Sequence, residues 1–274
     1  MSRNANRIKA SKVTSTPTKS PPAQQMTYSP PTTHVVLPSG GKFYSSDHSL
    51  HGCETVEVKQ MTTREEEILT NPSLLQQGLV VDRLIKSVAV DSTIEPSSLL
   101  IGDKNAILIA LRIDAYGKEY EVDLSCTNCG MPNHTEIDLS SLGFRGLAED
   151  IEVSEEGTFT VSLPRTEATV ELRPLTGVDE QKIAETNKKT KKHGLERPIA
   201  TQYSYMIAKV NGDSDINTIS AFAANLPAFD SRALRAAYKK VSPDVDMTFE
   251  YQCNVCGYEQ GSEVPITANF FWAE

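Results

Sequence analysis

Two Cys-x-x-Cys-Gly segments, Cys126-Thr-Asn-Cys129-Gly130 and Cys253-Asn-Val-Cys256-Gly257, stand 127 residues apart in a chain of 274. Two residues between paired cysteines let both sulfurs of one tight turn face the same ion, and four thiolates satisfy the tetrahedral preference of zinc. Glycine after the second cysteine admits a positive φ and lets backbone amides turn toward the sulfurs. Cys126, Cys129, Cys253 and Cys256 are therefore the candidate ligands of a structural zinc. The separation of 124 positions between the second and third ligands far exceeds the roughly 15–20 of a compact ribbon, so spacing alone leaves the pairing open.

The surroundings of the cysteines are also repeated. Asp103 and Asp230 each precede the first cysteine of a pair by 23 residues and begin helical patterns, Ala106, Ile107, Ala110 and Leu111 matching Ala233, Leu234, Ala237 and Tyr238. Alternating strands Tyr120 to Leu124 and Met247 to Tyr251 lead into the motifs, and strands Glu136 to Leu139 and Glu263 to Ile266 follow them. Further upstream, Glu57-Val-Lys-Gln-Met-Thr62 aligns without a gap with Glu171-Leu-Arg-Pro-Leu-Thr176. In each, Thr is followed three residues later by an acid, Glu65 or Asp179, the start signal of a capped helix. Leu37-Pro38 and Leu163-Pro164 open the strand regions, and middle helices fit Leu79 to Val88 and Tyr203 to Val210.

The expected fold is α+β and internally duplicated, a pseudo-two-fold pair of modules, each made of a β-hairpin, helices and a zinc-knuckle hairpin. The first repeat spans 34–145 and the second 155–274. A Lys-rich insertion, 187–197, is expected as an exposed loop in the second. Metal shared between the hairpin tips would clamp the repeats together.

Residues 1–33 differ in kind: five basic residues, no acid and five prolines cannot gather enough apolar area to offset ordering entropy. They read as an arm, either a solvated linker or a contact for a neighbour. Residues 34–274 hold 22 Lys/Arg against 36 Asp/Glu, a balance of −14. Such a surface argues against phosphate binding, which draws its affinity from released counterions, so nucleic acid is not the expected partner. No stretch approaches the roughly 18 apolar residues of a membrane span, and the N-terminus lacks the apolar run of an export leader. A reducing cytoplasm is the expected setting.

Other chemistry is weakly represented. The sequence has no Gly-rich phosphate loop, Gly-x-Ser-x-Gly elbow or His-Glu-x-x-His. Glu65, Glu66 and Glu67 complement a helix dipole without any reaction. His134, near the first knuckle, could replace a thiolate but reads as exposed, and Cys53 reads as a buried hydrophobe. Two rival readings stand beside a structural one. A zinc-ribbon regulator would bind nucleic acid, and a thiol–disulfide oxidoreductase would want a cysteine at a helix N-terminus beside a cation, whereas both pairs here lie between strands.

Several segments together resemble a known family. Leu37-Pro-Ser-Gly-Gly-Lys-Phe-Tyr44, Met61-Thr-Thr-Arg-Glu-Glu-Glu-Ile-Leu-Thr-Asn71, Gly102 to Ile113, Tyr116-Gly-Lys-Glu-Tyr-Glu-Val122 and the closing Phe270-Phe271-Trp272 look like the baseplate hub or baseplate-assembly proteins of T4-type contractile-tailed bacteriophages. The resemblance covers most of 34–274 and is thinner in the second half. It implies a non-enzymatic virion component, assembled in the host cytoplasm into the tail baseplate, with other baseplate and tail proteins as partners in an oligomeric ring or hub. Phe270, Phe271 and Trp272 could then either fill the core or plug a neighbour's groove.

Overall fold

Inward-facing Val35, Val56 and Val58 alternate with outward-facing residues on two short strands, β1 (Thr32–Val36) and β2 (Thr55–Lys59), which pair antiparallel from Thr32↔Lys59 to Val36↔Thr55. The computed structural model describes residues 29–146, 152–192, 196–266 and 268–271, so most of the basic arm lies outside the described residues. After β2 come α1 (Thr63–Leu69), α2 (Pro72–Gln77), α3 (Val80–Val88) and α4 (Ile101–Tyr116), then β3 (Glu119–Ser125), β4 (Pro132–Asp138) and the short β5 (Phe144–Arg145). The same kinds of element then recur: β6 (Phe159–Ser162), β7 (Thr169–Leu172), α5 (Gly177–Lys192), α6 (Pro198–Met206), β8 (Ile207–Val210), α7 (Ile216–Asn225), α8 (Ala228–Val241), β9 (Asp244–Val245), β10 (Thr248–Gln252) and β11 (Glu259–Glu263). The protein is thus α+β, with small antiparallel sheets: hairpins β1-β2, β3-β4 and β10-β11, the pair β5-β9, and a three-stranded β6-β7-β8. Among the described residues no helix is long and apolar enough to cross a membrane.

The helix starts follow from local hydrogen bonding. Thr62 donates its backbone N–H (2.9 Å) and its hydroxyl (2.6 Å) to Glu65 Oε2, and Thr176 makes the same pair of bonds to Asp179 Oδ2 at 2.9 and 2.8 Å. Asp103 and Asp230 do not begin their helices, contrary to what the sequence pattern suggests. Each is the third residue of its helix, and the backbone caps are Leu100 and Pro227, without side-chain bonds. The two carboxylates, both fully buried, reach the turns that follow Leu37-Pro38 and Leu163-Pro164. Asp103 accepts from Ser39 N–H, Ser39 hydroxyl and Tyr44 hydroxyl at 3.0, 2.6 and 2.7 Å, while Asp230 accepts from the N–H groups of Arg165 and Thr166, both at 2.9 Å. Burial pushes the Asp103 carboxyl up against these donors.

Several sequence expectations shift in place. Leu37-Pro38 and Leu163-Pro164 close strands β1 and β6 instead of opening them, because Pro fixes the φ wanted at the second position of a turn; Gly40 N–H bonds back to Leu37 carbonyl at 3.0 Å. The middle helix of the second part stops at Met206, since Ile207 to Val210 finds β7 as a partner strand. The returning strand after Cys256 is Glu259–Glu263, earlier than expected, because a tight knuckle brings the chain back at once. The Lys-rich segment is no loop up to Lys192: it prolongs α5, with Lys188, Lys189 and Lys191 exposed, as straight-chain residues favour helix.

One apolar core runs through both parts, from Val35 and Leu37 through Ile107 and Leu111 to Val170, Leu234 and Phe270. Helix α4 lies within it and crosses β9 so closely that a Cβ on Gly102 would collide with the Pro243 carbonyl. Phe270 and Phe271 are buried in that core, Phe270 edge-on to Tyr120 with 5.1 Å between ring centroids; they do not project to plug a neighbour, and Trp272 lies outside the described residues. Phe270→Ala should therefore destabilise the fold by about 3–5 kcal/mol, read as an earlier urea midpoint. A variant that unfolds like the parent yet fails to enter tails would restore the docking role.

Candidate metal centre

The two knuckles are built alike by their strands. In β3-β4 the register runs from Glu119↔Asp138 to Ser125↔Pro132, and in β10-β11 from Thr248↔Glu263 to Gln252↔Glu259, so each Cys-x-x-Cys is the tip of a hairpin. Cys126 N–H donates to Met131 carbonyl and Gly130 N–H to Cys126 carbonyl, at 2.9 and 2.8 Å. Cys253 and Gly257 repeat this with Tyr258 carbonyl and Cys253 carbonyl, both at 2.9 Å. Gly130 and Gly257 hold φ of 71° and 70°, a region that disfavours any side chain.

These tips meet. Sγ of Cys126 lies 3.7 Å from that of Cys256, Sγ of Cys129 lies 3.7 Å from that of Cys253, and all four sulfurs fall within 4.8 Å of one another. A tetrahedron with Zn–S of ~2.3 Å has edges of about 3.8 Å, so two of the six edges already match and none exceeds 4.8 Å. The donor set is four thiols, with first members Cys126 and Cys253 buried and second members Cys129 and Cys256 exposed. Such a set is close enough to hold a metal ion, and its chemistry fits zinc or another thiophilic metal.

The sulfurs are not equivalent electrostatically. The Cys256 backbone N–H, helped by amides of Val255 and Asn133 and opposed by burial, draws the Cys253 thiol down to about 6. The Tyr258 backbone N–H and the Asn128 amide lower Cys256 as well. Against the pull of the Met131 backbone, burial and the sulfurs of Cys256, Cys126 and Cys253 push Cys129 up to about 12. One thiolate forms readily and the last only against accumulated negative charge, which a divalent cation would relieve.

Nearby groups fall into place around this centre. His134 is exposed and turned away from the sulfurs, with Nδ1 3.0 Å from Asp123, whose carboxylate raises its pKa, so it does not replace a thiolate. Cys53 stands apart, half-buried, its thiol directed at the carbonyls of Ser49 and His51. Neither cysteine pair begins a helix, the placement a redox dithiol would want. Sequence reading missed Asn133 and Gln260. Asn133 Oδ1 accepts from the N–H of Asn254 at 2.8 Å, and Gln260 Oε1 accepts from the N–H of Thr127 at 2.9 Å. Their shared offset of 127 was the available signal.

Comparison with known proteins bears on the same stretch of chain. A family model described as T4 bacteriophage base plate protein matches residues 30–272. The chain belongs to that family. The resemblance read from the sequence therefore holds over most of the chain, and this is a phage baseplate protein, which locates it in the virion tail. No curated protein and no solved structure matches it significantly.

For the metal-free, reduced baseplate protein, thiolate ultraviolet absorbance should rise in well-separated steps as pH increases. The first step, centred near pH 6, should vanish in Cys253→Ser. A single step at the ordinary thiol value would show that the sulfurs are not coupled.

Proposed function

We propose that this protein is a structural or assembly subunit of the hub or wedge region of a contractile-tail baseplate, without catalytic activity, and that one zinc ion clamps its two related parts. Family membership over residues 30–272 supports the tail assignment. Its neighbours are then other baseplate and tail proteins in a ring or hub, met during assembly in the host cytoplasm, and the basic arm 1–33 is one of its contacts. Buried polar side chains serve structure throughout: Asp103 and Asp230 hold turns, and Arg112 donates to the carbonyls of Phe270, Gly117 and Glu119.

The observation that carries the clamp is the crossed pairing of sulfurs. Adding 127 to Cys126 gives Cys253, and adding it to Cys129 gives Cys256, so the 3.7 Å pair Cys126–Cys256 is the two-fold image of the 3.7 Å pair Cys253–Cys129. An internal duplication with repeats near 34–145 and 155–274 accounts for this. It also accounts for the matched capping boxes, and for Asp103 and Asp230 reaching equivalent turns. In the proposed site the ion supplies only charge neutralisation and cross-linking, while the chain's own turns position the sulfurs.

Purified protein should carry about one zinc per chain. Chelation, or Cys126→Ser as much as Cys253→Ser, should lower Tm by about 10 °C, given ~2–4 °C per kcal/mol for a chain of this size. Imaging of tails and assembly intermediates should place the polypeptide in the baseplate at fixed stoichiometry. Its absence from both would overturn the assignment, and a metal-free protein with unchanged Tm would remove the clamp.

A further inference from the structure

We propose that Asn133 and Gln260 are a matched pair of positioning residues that set the geometry of the four-sulfur cluster, each reaching from its own hairpin to the opposite Cys-x-x-Cys turn. This rests on the reading that the sulfurs hold zinc. Both residues occupy the second position of a returning strand, Asn133 opposite Leu124 and Gln260 opposite Tyr251. Their acceptors are Asn133 Oδ1 for Asn254 N–H and Gln260 Oε1 for Thr127 N–H, and Thr127 and Asn254 are again 127 apart. The exchange is reciprocal, as contacts across a two-fold axis must be. Each bond fixes the residue just after the first cysteine of the opposite knuckle, so the two turns are held in register by the polypeptide itself.

The pair also differs in one methylene, with a consequence for the sulfurs. The shorter Asn133 keeps its amide nitrogen inside the cluster, donating to Cys253 Sγ at 3.4 Å and to Met131 carbonyl at 3.0 Å. The opposite amide orientation would set its NH2 against the Asn254 N–H and its oxygen against a carbonyl and a thiolate, so the assignment is fixed by its neighbours. Asn133 is 2% exposed, and both donors and the acceptor are used. The longer Gln260 carries its nitrogen past the sulfurs to the hydroxyl of Tyr251 at 2.7 Å, while its oxygen takes a second bond from Thr127 hydroxyl at 2.7 Å. Asn133 thus positions a turn and eases charge on a thiolate, whereas Gln260 only positions. Outer partners of this kind typically govern metal affinity by about 10–100-fold.

The test is competition of full-length protein with a chromophoric chelator for Zn2+, together with the absorption spectrum of the Co2+-loaded protein and its Tm. Asn133→Ala should weaken Zn2+ binding by about 10–100-fold and shift the Co2+–thiolate bands. Asn133→Asp should weaken it at least as much, because it keeps the acceptor for Asn254 but sets a carboxylate against Cys253. Gln260→Ala should weaken binding less than Asn133→Ala, and Gln260→Glu, which retains the acceptor for Thr127, should stay close to the parent. If the Asn133 variants fail to fold, the partly exposed Gln260 decides alone: parental affinity and spectrum in Gln260→Ala overturn the proposal. Parental Zn2+ affinity in both alanine variants overturns it too, while the zinc clamp stands. A parent chain that binds neither Zn2+ nor Co2+ defeats the clamp itself.

Discussion

Burying α4 on nearly every side forces its ionisable residues to find partners, and those partners tie the chain together. An unpaired charge in that position would be costly, so each is bonded to a distant segment. Asp103 holds the turn at Ser39, Lys104 lies 2.8 Å from Asp82 and 3.8 Å from Glu180, and Arg112 binds the Phe270 carbonyl at 2.9 Å. One helix thereby fastens the first hairpin, the α3 and α5 helices, and the turn at Phe270. Its guanidinium also sits beside the rings of Tyr116 and Tyr120, 5.4 and 5.8 Å from their centroids, which keeps the buried cation in an attractive environment.

The sulfur cluster depends on that anchoring. Arg112 donates to Gly117 and Glu119, the entry to β3, and Tyr120 hydroxyl donates to Pro265 carbonyl, just beyond β11. The bases of both knuckle hairpins are thus fixed near one end of α4, and their tips are left little choice but to meet. Free-standing zinc knuckles depend on metal for their structure. Here the hairpins already lean on a shared core, and the site at their tips inherits its geometry from Arg112 and Tyr120 below and from Asn133 and Gln260 beside it.

Features that need only a few neighbouring residues were legible in the sequence: Thr62 with Glu65, Thr176 with Asp179, the glycines at 130 and 257, and the alternating strands that frame both cysteine pairs. Repetition carried the reading further, since a spacing of 127 ties the knuckles to one another without any structure. What stayed hidden was decided by tertiary partners. Ile207-Ala-Lys-Val210 suits a helix or a strand, and only the presence of β7 selects the strand. Phe270 and Phe271 follow no period that could show which way they face. The helices α2 and α7 follow Asn71 and Asp215, whose side chains accept from the first turn's N–H groups, but runs of six and ten residues give too brief a pattern to read. Asn133 and Gln260 look like ordinary polar strand residues until the opposite hairpin is in place.

Repetition in the interior coexists with difference on the surface. The outward face of β3-β4 sets Glu121 directly opposite Glu136 and Glu119 opposite Asp138, with His134 beside Asp123. The corresponding face of β10-β11 sets Glu250 opposite Gly261 and Thr248 opposite Glu263, a thinner acidic surface. Like charges across a strand pair weaken a sheet, and the denser face of the first hairpin is offset by Lys118 beside Asp138, by His134 beside Asp123 and Glu121, and by burial of Tyr120, Val122 and Ile137 on the other side. Among the described residues, the second part extends the Lys-rich end of α5 into solvent, with Lys188, Lys189 and Lys191 exposed. A chain of this design presents two similarly built hairpins with unlike charge outside. That is what a baseplate subunit needs if it is to hold different neighbours on its two sides, because charge at the rim of an interface governs which partner is accepted more than how tightly it is held.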